Sequence, residues 1–556
     1  MTPGSLSPAF EPLAQHIEGL TPGGIEHELM PLLNEDREGL IARALATGEL
    51  EPVSLVFSAL EHAMERVEGE TQTILGERVV KGVVFNLGKN TRMDSLDTAL
   101  IFFDMARSIA DGITADPKEK ARTISSIAEG CSRYPVDYSS VDEPYKLARQ
   151  VHGYIGDAAE AAEQAAHPAT RSSALVEVAE VSAKSTEQLA RNIATNGYKG
   201  DLEVYDRLFK ELEQQPLIIY GQALGAAREA DKPTESIREH SRIVVSMARS
   251  AANITYGEAF ISEELVNMAV SEIVETVKGC EAGGGQYAKM SAAQKANSLL
   301  QLGSEMGAAI ERQYSKTHQL ATSPLRRDLI RQTAQTFLKA RDYGQKISPA
   351  AKVLSSAGIA RNQYELDRGA SYSTLTFANR IVEADFGLAK RVLEAGFDLA
   401  TLHDAAAGDT FKRDEALIVI NNDADSNQRT VEEAFELFSL SHTLAGRFRG
   451  KSKRHGAEMQ RKSADNALRL LARSRSYEVM KLEKIDGEFV NFMIKSATEE
   501  GSEIRSGQLH ALSAYVDDPQ VIHAIYSGVE VLSLREQAAK EPQNDTARIV
   551  HDAIGR

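Results

Sequence analysis

Asp116-Pro117-Lys118-Glu119-Lys120-Ala121-Arg122-Thr123-Ile124-Ser125-Ser126-Ile127-Ala128 is the stretch that decides the fold. Asp116 supplies a carboxylate that can accept the first free N–H groups of a helix. Pro117 then occupies the first helical position, where its missing N–H costs nothing. Glu119, three residues after the cap, is placed in capping-box style. Thr123, Ile124 and Ile127 fall on one face of a 3.6-residue period. Cys131, seven residues after Ile124, continues that stripe with Ile127 and Ala128, so it reads as a small buried hydrophobe. The segment predicts a capped amphipathic helix.

The same grammar recurs along the chain. Ser323-Pro324, Ser348-Pro349 and Asp518-Pro519 each place a capping side chain before a proline. Helical segments are expected near 36–47, 53–67 and 71–87, after an irregular, proline-bearing lead-in over 1–35. Asn86-Leu87-Gly88-Lys89-Asn90, Asn196-Gly197, Ala282-Gly283-Gly284-Gly285 and Asn421-Asn422-Asp423 read as breaks between helices. Ile418-Val419-Ile420 is the best short strand candidate, yet 412–420 fits a helix as well.

A weak internal repeat accompanies these helices. Lys120-x-x-Thr123-Ile124-x-x-Ile127 matches Arg171-x-x-Ala174-Leu175-x-x-Val178 and Arg413-x-x-Ala416-Leu417-x-x-Ile420. His240-x-x-Ile243-Val244-x-x-Met247 and Arg326-x-x-Leu329-Ile330-x-x-Thr333 follow more loosely. Successive copies lie 51, 69, 86 and 87 residues apart, and any amphipathic helix produces such a pattern. The array is similar in general style to TPR or HEAT repeats but lacks their period of roughly 34 to 47 residues. The expected fold is all-α: an extended stack of antiparallel helices, degenerate and solenoid-like, in two or three helical subdomains. The organisation expected is an N-terminal region over 1–92, a repeat-like stack over 93–400 and a C-terminal helical region over 401–556.

Bulk properties narrow the function. The chain has 556 residues, 42% hydrophobic and 26% charged, with no Trp and only 16 Pro, a composition of folded helical proteins. A net charge of −17 disfavours a general nucleic-acid coat or a binder of anionic membranes. No apolar run approaches the length of a membrane span, and the first residues show no secretory signal. Two cysteines fit a reducing, cytoplasmic setting without a disulfide framework.

Local catalytic and metal motifs fail on inspection. Gly82 to Lys89 has five residues between its glycines where a phosphate loop has four, and Asn90 where Ser or Thr would hold magnesium. Asn421, Asp423, Asp425, Asn427 and Glu432 occupy calcium-loop positions, but Ser426 replaces the glycine that the sharp turn needs. A polar turn explains them better. Ser441-His442-Thr443-Leu444 has the look of a phosphoacceptor helix without the ATP-binding domain that would use it. No cofactor and no metal are expected.

One segment departs from the acidic background. Residues 446–476 read GRFRGKSKRHGAEMQRKSADNALRLLARSRS, with ten basic residues against Glu458 and Asp465, a local charge of +8. Gly446, Gly450 and Gly456 bracket a basic loop; after it, a helix is expected to pack Leu468, Leu471 and Ala472 inward. The candidate partner-binding residues are Arg447, Phe448, Arg449, Lys451, Lys453, Arg454, Arg461, Lys462, Arg469 and Arg473. Three readings stand: a solvated face paired with the protein's own acids, a contact for an acidic protein or for self-association, or a phosphate-binding surface on which Phe448 stacks on a base. Arg326, Arg327, Arg331, Lys339 and Arg341 would extend that surface if the fold brings them near. The function expected is a non-enzymatic scaffold for a macromolecular partner, protein or ribonucleoprotein, with homo-oligomerisation compatible and no membrane insertion. An all-helical enzyme with a dispersed acid–base site is the alternative.

Overall fold

The computed structural model describes residues 50–89, 96–136, 142–196, 202–230, 233–253, 260–282, 287, 290–314, 324–347, 370–381, 385–407, 411–425, 430–448, 452–474 and 487–540. Among them are nineteen α-helices and no strand. The chain divides into two compact units, one of 1–290 with 309–332 and one of 291–308 with 333–556.

The first unit holds α1 (Leu50–Arg66), α2 (Gly69–Lys89), α3 (Leu96–Asp111), α4 (Pro117–Ser132), α5 (Glu143–Glu163), α6 (Pro168–Asn196), α7 (Leu202–Arg228), α8 (Pro233–Asn253) and α9 (Phe260–Ala282). Each helix packs on the next in sequence and on the next but one, so α2, α4, α6 and α8 form one layer and α1, α3, α5, α7 and α9 another. Polar contacts give the sense of each step. Lys118 at the start of α4 reaches Ser173 and Glu177 at the start of α6, and Glu129 near its end reaches Lys184, so neighbours within a layer run parallel. Between layers the sense reverses: Arg171 meets Glu229 at one end of the α6–α7 pair and Thr186 meets Leu212 at the other. The expected antiparallel stack is present.

The helix starts follow the sequence grammar. The Asp116 carboxylate accepts the N–H groups of Lys118 at 2.9 Å and Glu119 at 3.3 Å. Pro117, Pro168, Pro233, Pro324 and Pro519 each begin a helix; Ser348-Pro349 lies outside the described residues. Gly69, at a φ of 64°, turns the chain between α1 and α2 in a conformation that favours glycine. α2 continues through Gly88 to Lys89, so positions 86–89 of the break expected at 86–90 are helical, as are the phosphate-loop-like glycines.

The internal repeat acquires a place in this fold. Its copies at 120–127, 171–178 and 240–247 lie on α4, α6 and α8, successive members of one layer, and every apolar position in them is buried. Each copy therefore advances the stack by a helix pair. The spacing is irregular because the pairs differ in length. The basic residue that opens each copy meets an acid on an adjacent element: Lys120 with Asp111 at 3.3 Å, Arg171 with Glu229 at 2.7 Å, and His240 with Glu272 at 3.6 Å.

α7 contains Pro216, whose ring removes the N–H that would satisfy the Leu212 carbonyl. The Thr186 hydroxyl of α6 stands 3.3 Å from that oxygen and 2.9 Å from the carbonyl of Ser182, its own helical acceptor. Further buried polar groups are also paired across helices. Tyr220 shares its hydroxyl with Ser246 and Ser250 of α8, both at 2.8 Å.

α10 (Ala292–Tyr314) and α11 (Pro324–Gln345) each divide between the units. The second unit continues with α12 (Ala370–Ile381), α13 (Phe386–Ala407), α14 (Phe411–Ala424), α15 (Val431–Ala445), α16 (Lys453–Arg473), α17 (Gly487–Thr498), α18 (Ser506–Leu512) and α19 (Pro519–Lys540). From α12 to α15 the packing again links each helix to the next and the next but one. Ile418-Val419-Ile420 is part of helix α14. Its Asn421 is buried, donating its amide to Leu417 O and Ser441 Oγ, both at 2.9 Å, while Ser463 Oγ donates to Asn421 Oδ1 at 3.1 Å. That amide ties α14, α15 and α16 together. The first position of the calcium-loop-like frame is thus occupied by core hydrogen bonds; Asn427 lies outside the described residues.

Candidate functional site

The basic segment is built around Phe448 and α16. Phe448 follows α15, is buried at 2% exposure, and packs against Phe397 of α13 with ring centroids 6.2 Å apart. The Arg413 guanidinium lies 4.6 Å from its ring centre. Arg413 is itself held by Asp404, a fully buried carboxylate that accepts the Lys412 and Arg413 N–H groups at 3.0 and 2.8 Å and so caps the start of α14. The stacking role expected for Phe448 is therefore corrected: its face is occupied by the protein's own cation, and a nucleic-acid base has no access to it.

Gly456 is also corrected, from a loop bracket to a buried residue of α16. A Cβ there would stand 2.7 Å from Ala445 O and 2.8 Å from Phe448 Cβ. The missing side chain lets the first turn of α16 close on the end of α15. Leu468 and Leu471 pack inward as expected, whereas Ala472 is exposed.

The cations of the segment sort into two sets. Arg447 pairs with Asp398 of α13 at 3.3 Å, Arg469 with Glu503 at 2.9 Å and Arg473 with Asp425 at 3.8 Å, and Arg461 bonds Glu499. These four neutralise the protein's own acids. Burial raises the pKa of the Asp398 carboxyl, and Arg447 and Arg341 oppose that shift, so Arg341 of the milder basic stretch is brought to the same carboxylate. Lys453, Arg454 and Lys462 form the second set. All are exposed, Arg454 at 93%, and its only ion pair among the described residues is with Glu458 on the same helix at 3.6 Å. Lys453 and Lys462 have no ion pair among the described residues. Arg449 and Lys451 lie outside the described residues. Within α16 itself, burial pushes Asp465 up to a pKa of about 6 against the opposing pull of Arg469 and Arg461.

The sequence reading missed a second feature. A groove of about 510 Å³ runs between α5 and α7 in the first unit, lined by Gly156, Ala159, Ile218 and Ile219 with Glu160, Glu163, Glu211, Gln214, Gln215, Gln222 and His152. It is invisible as a local motif because its walls come from segments some fifty residues apart, between about 152 and 222.

Both cysteines, Cys131 and Cys280, are buried free thiols, and burial pushes the Cys131 thiol well above the ordinary range. Among the described residues no His, Cys, Asp and Glu side chains gather in a metal-binding group. No described helix is long and apolar enough to cross a membrane.

The sequence matches no protein-family model and no curated protein. Among solved structures it is similar to a circular tandem repeat protein with novel repeat topology and enhanced subunit contact surfaces, at a TM-score of 0.42 and 12% identity over 94% of this chain and 99% of that one.

Proposed function

We propose that this chain is a non-enzymatic binding scaffold whose outer α16 face contacts an acidic macromolecular partner, protein or ribonucleoprotein. The observation that carries the reading is the second cation set. Lys453 and Arg454 in the first turn, and Lys462 further along, are exposed on a helix whose inner side is fixed by Met459, Leu468 and Leu471. Long cations on a rigid helix, with no acid on another helix holding them, are available to a carboxylate or phosphate from outside. The paired arginines around them keep α16 in place and are not part of the contact. The two buried thiols accord with a cytoplasmic setting.

The test is affinity purification of the full chain from its native host, with and without nuclease, beside the K453S/R454S/K462S variant. Capture that survives nuclease and falls severalfold in the variant supports an acidic protein partner. Capture abolished by nuclease and steeply reduced by salt supports a ribonucleoprotein. Identical capture by variant and wild type excludes the α16 face.

A further inference from the structure

The groove between α5 and α7 belongs to the first unit, and its chemistry differs from that of α16. Its floor is apolar, formed by Gly156 and Ala159 of α5 and Ile219 of α7, and Ile218 is left 60% exposed at its edge. Glu160, Glu163 and Glu211 rim it, and none of them has an ion-pair partner among the described residues. Gln215 is 8% exposed and lines the groove. Its amide nitrogen donates to His152 O at 3.0 Å, while its Oε1 is buried with no hydrogen-bond donor in reach. A buried acceptor without a donor is costly to the folded state. A turn of the Gln215 side chain would present Oε1 to the groove, where a ligand N–H could satisfy it.

The helix directions fix where the charges fall. α5 and α7 are both antiparallel to α6 and so run parallel to each other. Gln215 faces His152 and Gly156. Glu211, one turn before Gln215, therefore sits at one end of the groove. Glu160 and Glu163, beyond Gly156, sit at the other, about 15 Å away at a rise of ~1.5 Å per residue. Between the ends lie methyl and methylene groups. The pattern is anionic, apolar, anionic, with the unpaired acceptor Gln215 Oε1 just beneath the floor.

We propose that this groove binds a linear aliphatic polyamine of spermine length. Its terminal ammonium groups would meet Glu211 at one end and Glu160 with Glu163 at the other, its methylenes would lie along Ile219 and Ala159, and an inner amine would donate to Gln215 Oε1. A short diamine such as putrescine reaches one end only. A bare divalent cation gains nothing from the apolar middle.

The test is a methyl NMR titration of the full chain at low salt, reading the Ile218 and Ile219 methyls, with spermine, putrescine and magnesium as separate probes. The expected result is saturable binding of spermine at least about tenfold tighter than putrescine, as bridging two sites by one chain gives. Glu211→Gln and the E160Q/E163Q pair, each at an exposed position that leaves the fold intact by circular dichroism, should each bring spermine down to the putrescine level. Equal affinity for spermine, putrescine and magnesium, or spermine binding unchanged in Glu211→Gln, overturns the proposal and leaves a diffuse acidic surface. Methyl shifts that instead appear on raising the protein concentration alone, and vanish in K453S/R454S/K462S, overturn it in favour of a second copy's α16 as the occupant.

Discussion

Lys118 and Arg242 in the first unit, and Lys453, Arg454 and Lys462 in the second, are long cations on helix surfaces put to opposite uses. Lys118 and Arg242 approach one hydroxyl, Ser173 Oγ, at 3.1 and 2.6 Å, and both meet Glu177 at 3.2 and 3.3 Å. Those contacts link α4, α6 and α8 across a single layer. The three cations of α16 reach no other helix among the described residues. A charge at a helix–helix seam is consumed by the fold, and a charge on the exposed side of a packed helix is not. The segment 446–476 contains both kinds, which is why its +8 charge cannot be read as a single surface.

The comparison breaks most visibly at the residue that separates the two uses. Phe448→Ala should cost about 3–5 kcal/mol, as for a buried aromatic truncated in a packed core, read by urea unfolding of the full chain. A loss under about 1 kcal/mol would return Phe448 to the surface. Gly456→Ala should cost about 1–3 kcal/mol, because its new Cβ meets backbone at Ala445 O as well as Phe448. The control is Gly153→Ala in α5, where a Cβ meets nothing within 4 Å and the helix should gain up to about 1 kcal/mol.

Much of this fold was legible in the sequence because its signals are local. The Asp116 cap and the proline starts need only neighbouring residues, and the i, i+3, i+4, i+7 apolar face needs only one helix. The repeat copies at 120, 171 and 240 were visible as pattern, yet only the layer order of α4, α6 and α8 gives them meaning. Other features are set by contacts distant in sequence. Gly456 looked like a loop residue because glycine has the same letter whether it frees a turn or admits a neighbouring helix. Phe448 looked available because Arg413 and Phe397, which cover it, lie 35 and 51 residues earlier. The division into units runs through α10 and α11, which no local change of composition marks in the sequence. The α5–α7 groove left no local trace at all.

Asp465 sharpens the comparison by pH. Its folded pKa, raised by burial to about 6, exceeds the ordinary carboxylate value, so the folded state binds its proton more tightly than the unfolded chain does. Stability from this group is complete below the unfolded pKa and is lost as pH rises through about 6. Asp465→Asn should therefore raise Tm by about a degree or two at pH 8, with the gain fading by pH 4. The shift is kept small because the side chain is partly solvated and faces Arg461 and Arg469. A gain that is the same at both pH values would mean that ionisation of Asp465 is not what the substitution relieves.

The most direct test of the division within 446–476 is to measure Tm and partner capture together for K453S/R454S/K462S. The account predicts a Tm within about one degree of wild type, since exposed cations without cross-helix partners contribute on the order of 0–1 kcal/mol, and capture reduced severalfold. A Tm lowered by several degrees with capture retained would contradict it, showing that these three side chains, like Arg447, Arg461, Arg469 and Arg473, belong to the fold.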